Sequence, residues 1–95
     1  MSRTERIATR ARVTGRVQGV TYRQWCRQEA RRLHLDGWVR NRPDGTVEVW
    51  AQGTPTSVER LIDWLWQGPP FADVTGVESD LVPVDPNLQD FLITN

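Results

Sequence analysis

The residues best placed to do chemistry sit in one short stretch, GRVQGVTYR, at positions 15–23. Gly15 and Gly19 bracket a polar turn and open torsions closed to other residues, so consecutive N–H groups can turn toward one point. The helix expected to begin at Tyr22 adds unpaired N–H donors and the positive end of its dipole. Arg23, at the second helical position, places a guanidinium in that same field. With nothing bound this is unfavourable by roughly 0.3–1 kcal/mol, and an anion held in the turn reverses the sign. A phosphate suits the arrangement, because a guanidinium can clamp two of its oxygens while backbone donors take others. The alternative is that Arg23 points into solvent and the glycines only make a tight turn. The stretch by itself leaves both readings open.

The remaining composition removes several reaction classes. All 12 basic residues are arginine, so the chain offers no Schiff-base amine and no Walker-type lysine. One cysteine, Cys26, excludes an internal disulfide, and with a single histidine, His34, no zinc site of the usual Cys/His kind can be assembled within the chain. No acidic cluster suggests a magnesium site, so neither a metal nor another cofactor is expected. Cys26 lies among helical apolar positions and reads as a packed thiol. His34 reads as a helix-ending residue, because no serine or cysteine has an evident companion base.

Ninety-five residues suit one domain, which at this size buries roughly 60–65% of its unfolded surface. Residues 1–5 are expected to be a loose N-terminus and 6–95 a single domain. No apolar run approaches the roughly 20 residues of a membrane span, and the N-terminus lacks the apolar segment of a secretory signal. A cytoplasmic location is the default expectation. The formal net charge is zero but unevenly placed: residues 1–42 carry 11 arginines against Glu5, Glu29 and Asp36, whereas residues 43–95 carry Arg60 against nine acids. Such polarity fits either a nucleic-acid patch or two surfaces that neutralise each other in the fold.

The elements that must position this stretch follow from periodicity. IATRARVT (7–14) alternates as a strand, with Ile7, Thr9, Ala11 and Val13 opposite Arg10 and Arg12. A helix from Tyr22 carries Trp25, Cys26, Ala30 and Leu33 at helical spacing, with Thr21 and Gln24 as a capping box. DGWVRN and TVEVWAQG form two strands joined by the RPDG turn. A second helix over 57–67 presents Val58, Leu61, Ile62 and Leu65, capped by Thr56 and Glu59 and ended by Gly68-Pro69-Pro70. A fourth strand, irregular near Gly76, lies within ADVTGVESDLVPV, and FLIT (91–94) closes the chain with Phe91 and Ile93 inward. Two helices with one apolar stripe each, alternating with four strands as β-α-β-β-α-β, predict an α+β ferredoxin-like sandwich. Its four-stranded antiparallel sheet would have both helices on one face, plus a short C-terminal strand. The other face would lie in water, carrying Arg10, Arg12, Trp38, Arg40, Glu48 and Trp50.

With these residues in view, the chain resembles the acylphosphatases. GRVQGVTYR, GWVRN and DGTVEV stand in that family's order, and GPPFADV is similar to its usual segment after the second helix. The resemblance spans about residues 7–94 and implies the same ferredoxin-like fold. It also implies hydrolysis of the mixed anhydride of a carboxylate and phosphate. Position by position, it puts the phosphate-binding arginine on Arg23, the water-positioning asparagine on Asn41, and the backbone cradle on Arg16, Val17, Gln18, Gly19 and Val20 after Gly15. Position 21 is often glycine in relatives, and His34 stands where they often end the helix with glycine. Chemically, an acyl phosphate has a good leaving group. What remains is to hold the phosphoryl oxygens and align a water. Asn41, uncharged, can hold a water through its oxygen but cannot act as a base. Taken alone, Asn41 also fits a polar strand-end residue at the turn.

Two other readings are weighed. An RNA-binding module could stack bases on Trp38 and Trp50 beside the arginines, but no stretch matches the aromatic central-strand signature of RNA-recognition domains. Arginines lying over the rings as a cation–π surface explain the same residues. An acylphosphatase-like domain acting on carbamoyl phosphate in a larger system is the other. The expectation from the sequence is a free-standing monomer acting on a small acyl phosphate, with no nucleic-acid or membrane partner.

Overall fold

The computed structural model describes residues 5–95. The N-terminus expected to be loose therefore lies outside the described residues, apart from Glu5, which is exposed and belongs to no element. In chain order the elements are β1 (Ile7–Arg16), α1 (Tyr22–Arg32), β2 (Asp36–Asn41), β3 (Val47–Gly53), α2 (Pro55–Gln67), β4 (Asp73–Val82) and β5 (Phe91–Thr94). The sheet order is β4-β1-β3-β2-β5. β1 pairs antiparallel with β3 and β4, and β2 pairs antiparallel with β3. This is the ferredoxin-like α+β sandwich that the periodicity predicts.

Alternation decides what each strand buries. Val13, Val39, Val47 and Val49 point to the helix-covered face and are buried, each contributing about 1.5–3 kcal/mol by leaving water. α1 meets them with Tyr22, Cys26, Ala30 and Leu33, and α2 with Val58, Leu61 and Leu65. The expected α1 stripe is corrected at one position. Trp25 is 45% exposed, since it lies about 100° around the helix from Cys26, and Tyr22 takes its place. Trp64 packs partly against the core while Trp66 is exposed, the split expected of residues two apart on a helix. α2 starts earlier than its sequence pattern suggested: Thr54, not Thr56, is its cap, with Pro55 in the first turn.

Two features of the sheet differ from expectation. β5 joins beside β2 in parallel, so the sheet is five-stranded and mixed. The cause is the segment 83–90, which must carry the chain from the β4 edge to the opposite edge. It crosses the outer face, where the buried Gln52 receives it: Gln52 Nε2 donates to the Asp85 carbonyl at 2.7 Å and Asp85 N–H to Gln52 Oε1 at 3.0 Å. The outer face is therefore only partly in water. Glu48, expected there in solvent, is also buried, with Arg40 Nη2 at 2.7 Å and Arg42 Nη1 at 3.0 Å.

β1 and β4 slip register between Thr14 and Gly15, opposite the irregularity expected near Gly76. Gly15 has φ +125°, and a Cβ there would fall 2.2 Å from the Asp73 carbonyl oxygen. Close approach of β4 is thus what requires this glycine. The bulge also re-aims the chain as it leaves the sheet toward α1.

Candidate active site

The turn between β1 and α1 runs over five residues, 17–21. Val17 is buried and anchors it in the core. Gly19, at φ +75°, is exposed, and nothing lies within 4 Å of where a side chain would begin. Gln18 turns away from solvent and donates Nε2 to the carbonyls of Arg42 at 2.8 Å and Thr46 at 2.9 Å, the two ends of the β2–β3 turn. Loop and turn are held side by side.

Thr21 does not form the expected capping box. Its backbone is left-handed, φ 61° and ψ 24°, and its hydroxyl bonds back to the Val20 carbonyl. No side chain caps α1, and no acidic residue stands in its first turn. The first-turn N–H groups are left for whatever enters the space in front of them. The left-handed torsion also accounts for the glycine common at this position in the family that the sequence resembles. His34, at φ 60°, shows the same substitution at the other end of the helix.

A cavity of about 240 Å³ opens in front of the helix, lined by Val17, Gly19, Thr21, Tyr22, Arg23, Gln24 and Asn41. At about 30 Å³ per water, it has room for a phosphate and a water. Arg23, half-buried, lines it, and among the described residues no carboxylate pairs with it. Asn41 is the last residue of β2, in register with Val47, and alternation turns it inward as for Val39. Its Oδ1 is buried with no hydrogen-bond partner, which costs on the order of 1–3 kcal/mol unless a ligand or water supplies a proton. No described hydrogen bond fixes its NH₂ either.

Of the residues singled out from sequence, Arg23, Asn41, Val17 and Gly19 come together at this cavity. Gly15 and Arg16 fall instead on the end of β1, paired with Val74 and Asp73. Gln18 and Val20 flank the cavity without lining it. Thr21 and Gln24 line it and were read from sequence only as a cap.

No general base or nucleophile stands ready here. Tyr22 donates its hydroxyl to the Leu65 carbonyl at 2.7 Å, and its ring meets Trp64 at 5.4 Å. Burial pushes its pKa far up, so it stays neutral. Burial likewise pushes the Cys26 thiol up, leaving it an inert core group, as expected. His34 lies beyond the far end of α1, roughly 16 Å away at 1.5 Å per residue. Among the described residues no group of three or more His, Cys, Asp or Glu side chains could hold a metal ion. The site can bind, neutralise and align, and little else.

A larger concavity, about 620 Å³, lies across the outer face, but its arginines Arg10, Arg12 and Arg42 face Glu48, Glu78 and Asp80. Trp38 and Trp50 stack on each other at 6.2 Å, and Arg40 lies over Trp38 at 5.1 Å. This is the cation–π surface weighed against base stacking.

Comparison with known proteins follows the same lines. The family model described as Acylphosphatase matches residues 9–93. An acylphosphatase of Rhizobium meliloti is 51% identical over 76 residues, 80% of each chain. One of Thermococcus kodakarensis is 54% identical over 74 residues, 78% of this chain and 81% of that one. The solved structure of an acylphosphatase from Coxiella burnetii superposes with a TM-score of 0.92 at 36% identity, covering 99% of this chain and 100% of that one. No described helix is long and apolar enough to cross a membrane.

Proposed function

The chain belongs to the acylphosphatase family, and on that premise we propose how its own residues hydrolyse an acyl phosphate. The phosphoryl group sits in the 240 Å³ cavity, held by the Arg23 guanidinium, the backbone donors of the 17–21 loop and the uncapped start of α1. Asn41 Oδ1 accepts a hydrogen bond from a water, so that the lone pair of the water oxygen points at phosphorus. A P–O bond forms to that water as the bond to the acyl oxygen breaks. The carboxylate leaves with the electron pair, and the water proton passes to a phosphate oxygen. No protein group needs to gain or lose a proton, which suits a cavity whose only charged side chain is an arginine.

The catalytic contribution is electrostatic and positional. A guanidinium already lodged beside helix N–H donors gains most when the equatorial oxygens carry their greatest charge. The reaction runs without a metal ion and uses one copy of the chain. One observation carries this reading: Asn41, whose buried oxygen has no hydrogen-bond partner, lines the same cavity as Arg23, an arginine that no carboxylate pairs with among the described residues.

An assay with benzoyl phosphate in EDTA, alongside an ordinary phosphomonoester, tests it. The expected outcome is undiminished turnover of the anhydride and none of the monoester. Activity that vanishes in EDTA and returns with magnesium would show the charge is neutralised by something other than Arg23.

A further inference from the structure

The Gln18 side chain is bound at both of its N–H groups, and neither bond belongs to the loop that Gln18 is part of. Nε2 reaches the carbonyls of Arg42 and Thr46, 24 and 28 residues along the chain. Those carbonyls are themselves fixed: Arg42 O also accepts from Gly45 N–H at 3.1 Å, and Thr46 O from Arg42 N–H at 2.8 Å. On the other side of the sheet, Arg42 Nη1 grips Glu48 at 3.0 Å. The carboxamide is therefore anchored on a turn closed by its own backbone hydrogen bonds.

Its neighbours give the bond its meaning. Gly19, next to Gln18, exposes backbone to the cavity, and Asn41, next to Arg42, lines it and carries the buried oxygen that has no hydrogen-bond partner. Adjacent Cα atoms are about 3.8 Å apart, so the tie lies one residue away from each side of the site. Among the described residues no other hydrogen bond joins residues 17–20 to β2, β3 or the turn between them. Val17 packs the loop into the core, but apolar packing sets no direction.

We infer that Gln18 is a positioning residue: its side chain sets the separation between the phosphate cradle and Asn41, and so the distance from the attacking water to phosphorus. The inference rests on the proposed roles of the loop and Asn41. A displacement of about 1 Å in such an alignment can lower a rate 100-fold. Binding of phosphate, which needs only Arg23 and the loop, is much less sensitive to it.

The test is a double-mutant cycle with Gln18→Met, an unbranched replacement without donors, and Asn41→Ala, read as kcat and as inhibition by inorganic phosphate. Gln18→Met is expected to lower kcat about 10- to 100-fold while the phosphate inhibition constant moves less than about 3-fold. On the Asn41→Ala background the same substitution should lower kcat less than about 3-fold further, because there is no held water left to misplace. Equal losses on both backgrounds overturn the positioning role and leave the proposed site intact. Wild-type kcat in Asn41→Ala alone removes the proposed role of Asn41, and the positioning role with it.

Gln18→Glu gives a second measurement independent of how well the methionine variant folds. An ionised carboxylate facing two carbonyl oxygens repels them, whereas a protonated carboxyl can donate to one. Activity relative to wild type should therefore rise as pH falls through the carboxyl's titration. A flat ratio across that range contradicts the inference.

Discussion

Thr54 and Thr21 each stand immediately before a helix, and the backbone treats them in opposite ways. Thr54 is extended, φ −65° and ψ 149°, and its side chain accepts a hydrogen bond from Ser57 N–H at 3.3 Å. With Pro55 following, the start of α2 satisfies itself. Thr21 is left-handed and turns its hydroxyl back onto Val20. The start of α1 satisfies nothing and faces a cavity containing Arg23. Neither first turn contains an acidic residue, so the two ends differ in capping and in the cation, not in local counter-charge. An uncapped helix N-terminus leaves its N–H groups free for an anion, and here Arg23 adds a positive charge to what is already positive.

The largest effect expected from that contrast is at Arg23. Arg23→Lys keeps the charge but loses the two-pronged geometry, and should lower turnover of benzoyl phosphate at least about 100-fold. Near-normal hydrolysis by this variant would remove the arginine from the site. Smaller effects, opposite in sign, are expected at the two threonines. Thr54→Ala removes a working cap and should destabilise the fold by about 1 kcal/mol, lowering Tm by about 4–8 °C with little change in kcat. Thr21→Gly relieves a left-handed torsion costing roughly 1–2 kcal/mol, offset by roughly 0.5–1 kcal/mol of glycine's unfolded-state entropy. A net gain of about 0.5 kcal/mol should appear in thermal or denaturant unfolding. If Thr21→Gly destabilised the protein as Thr54→Ala does, the two helix starts would not differ as described.

The threonines also mark where sequence stops being sufficient. Both helices have a threonine followed three residues later by glutamine or glutamate, and both capping boxes read from that pattern are absent. At α2 a second threonine two residues earlier takes the cap. At α1 the bulge at Gly15 and the turn that follows deliver the chain in a left-handed conformation that no i, i+3 pattern reports. Period-two and helical spacings located β1, β2, β3 and both helices, because burial is a local demand repeated along each element, whereas β4, read as irregular, has no buried residue to repeat. Arg23, Gly19 and Asn41 were legible because the family's motifs stand in the chain; by residue type alone a solvent-facing arginine, a tight turn and a polar strand end explained them as well.

What stayed hidden depends on contacts between distant segments. The Gln18 bonds span 24 and 28 residues, and the Gln52–Asp85 pair spans 33. The parallel entry of β5 and the cover over Gln52 both follow from the path of 83–90, which has no periodicity to read. Trp25 was assigned inward on its spacing to Ala30 and Leu33, yet Tyr22, one turn before Cys26, takes that place and Trp25 is exposed.

The account turns on the space before α1 being a preformed seat for a tetrahedral dianion. A crystal soaked in inorganic phosphate examines this directly. The expected result is a phosphate inside the cavity, within hydrogen-bond distance of Gly19 backbone N–H, the α1 first turn and two guanidinium nitrogens of Arg23, with the Asn41 amide facing it. An empty cavity at saturating phosphate, with Arg23 extended into solvent, would contradict it.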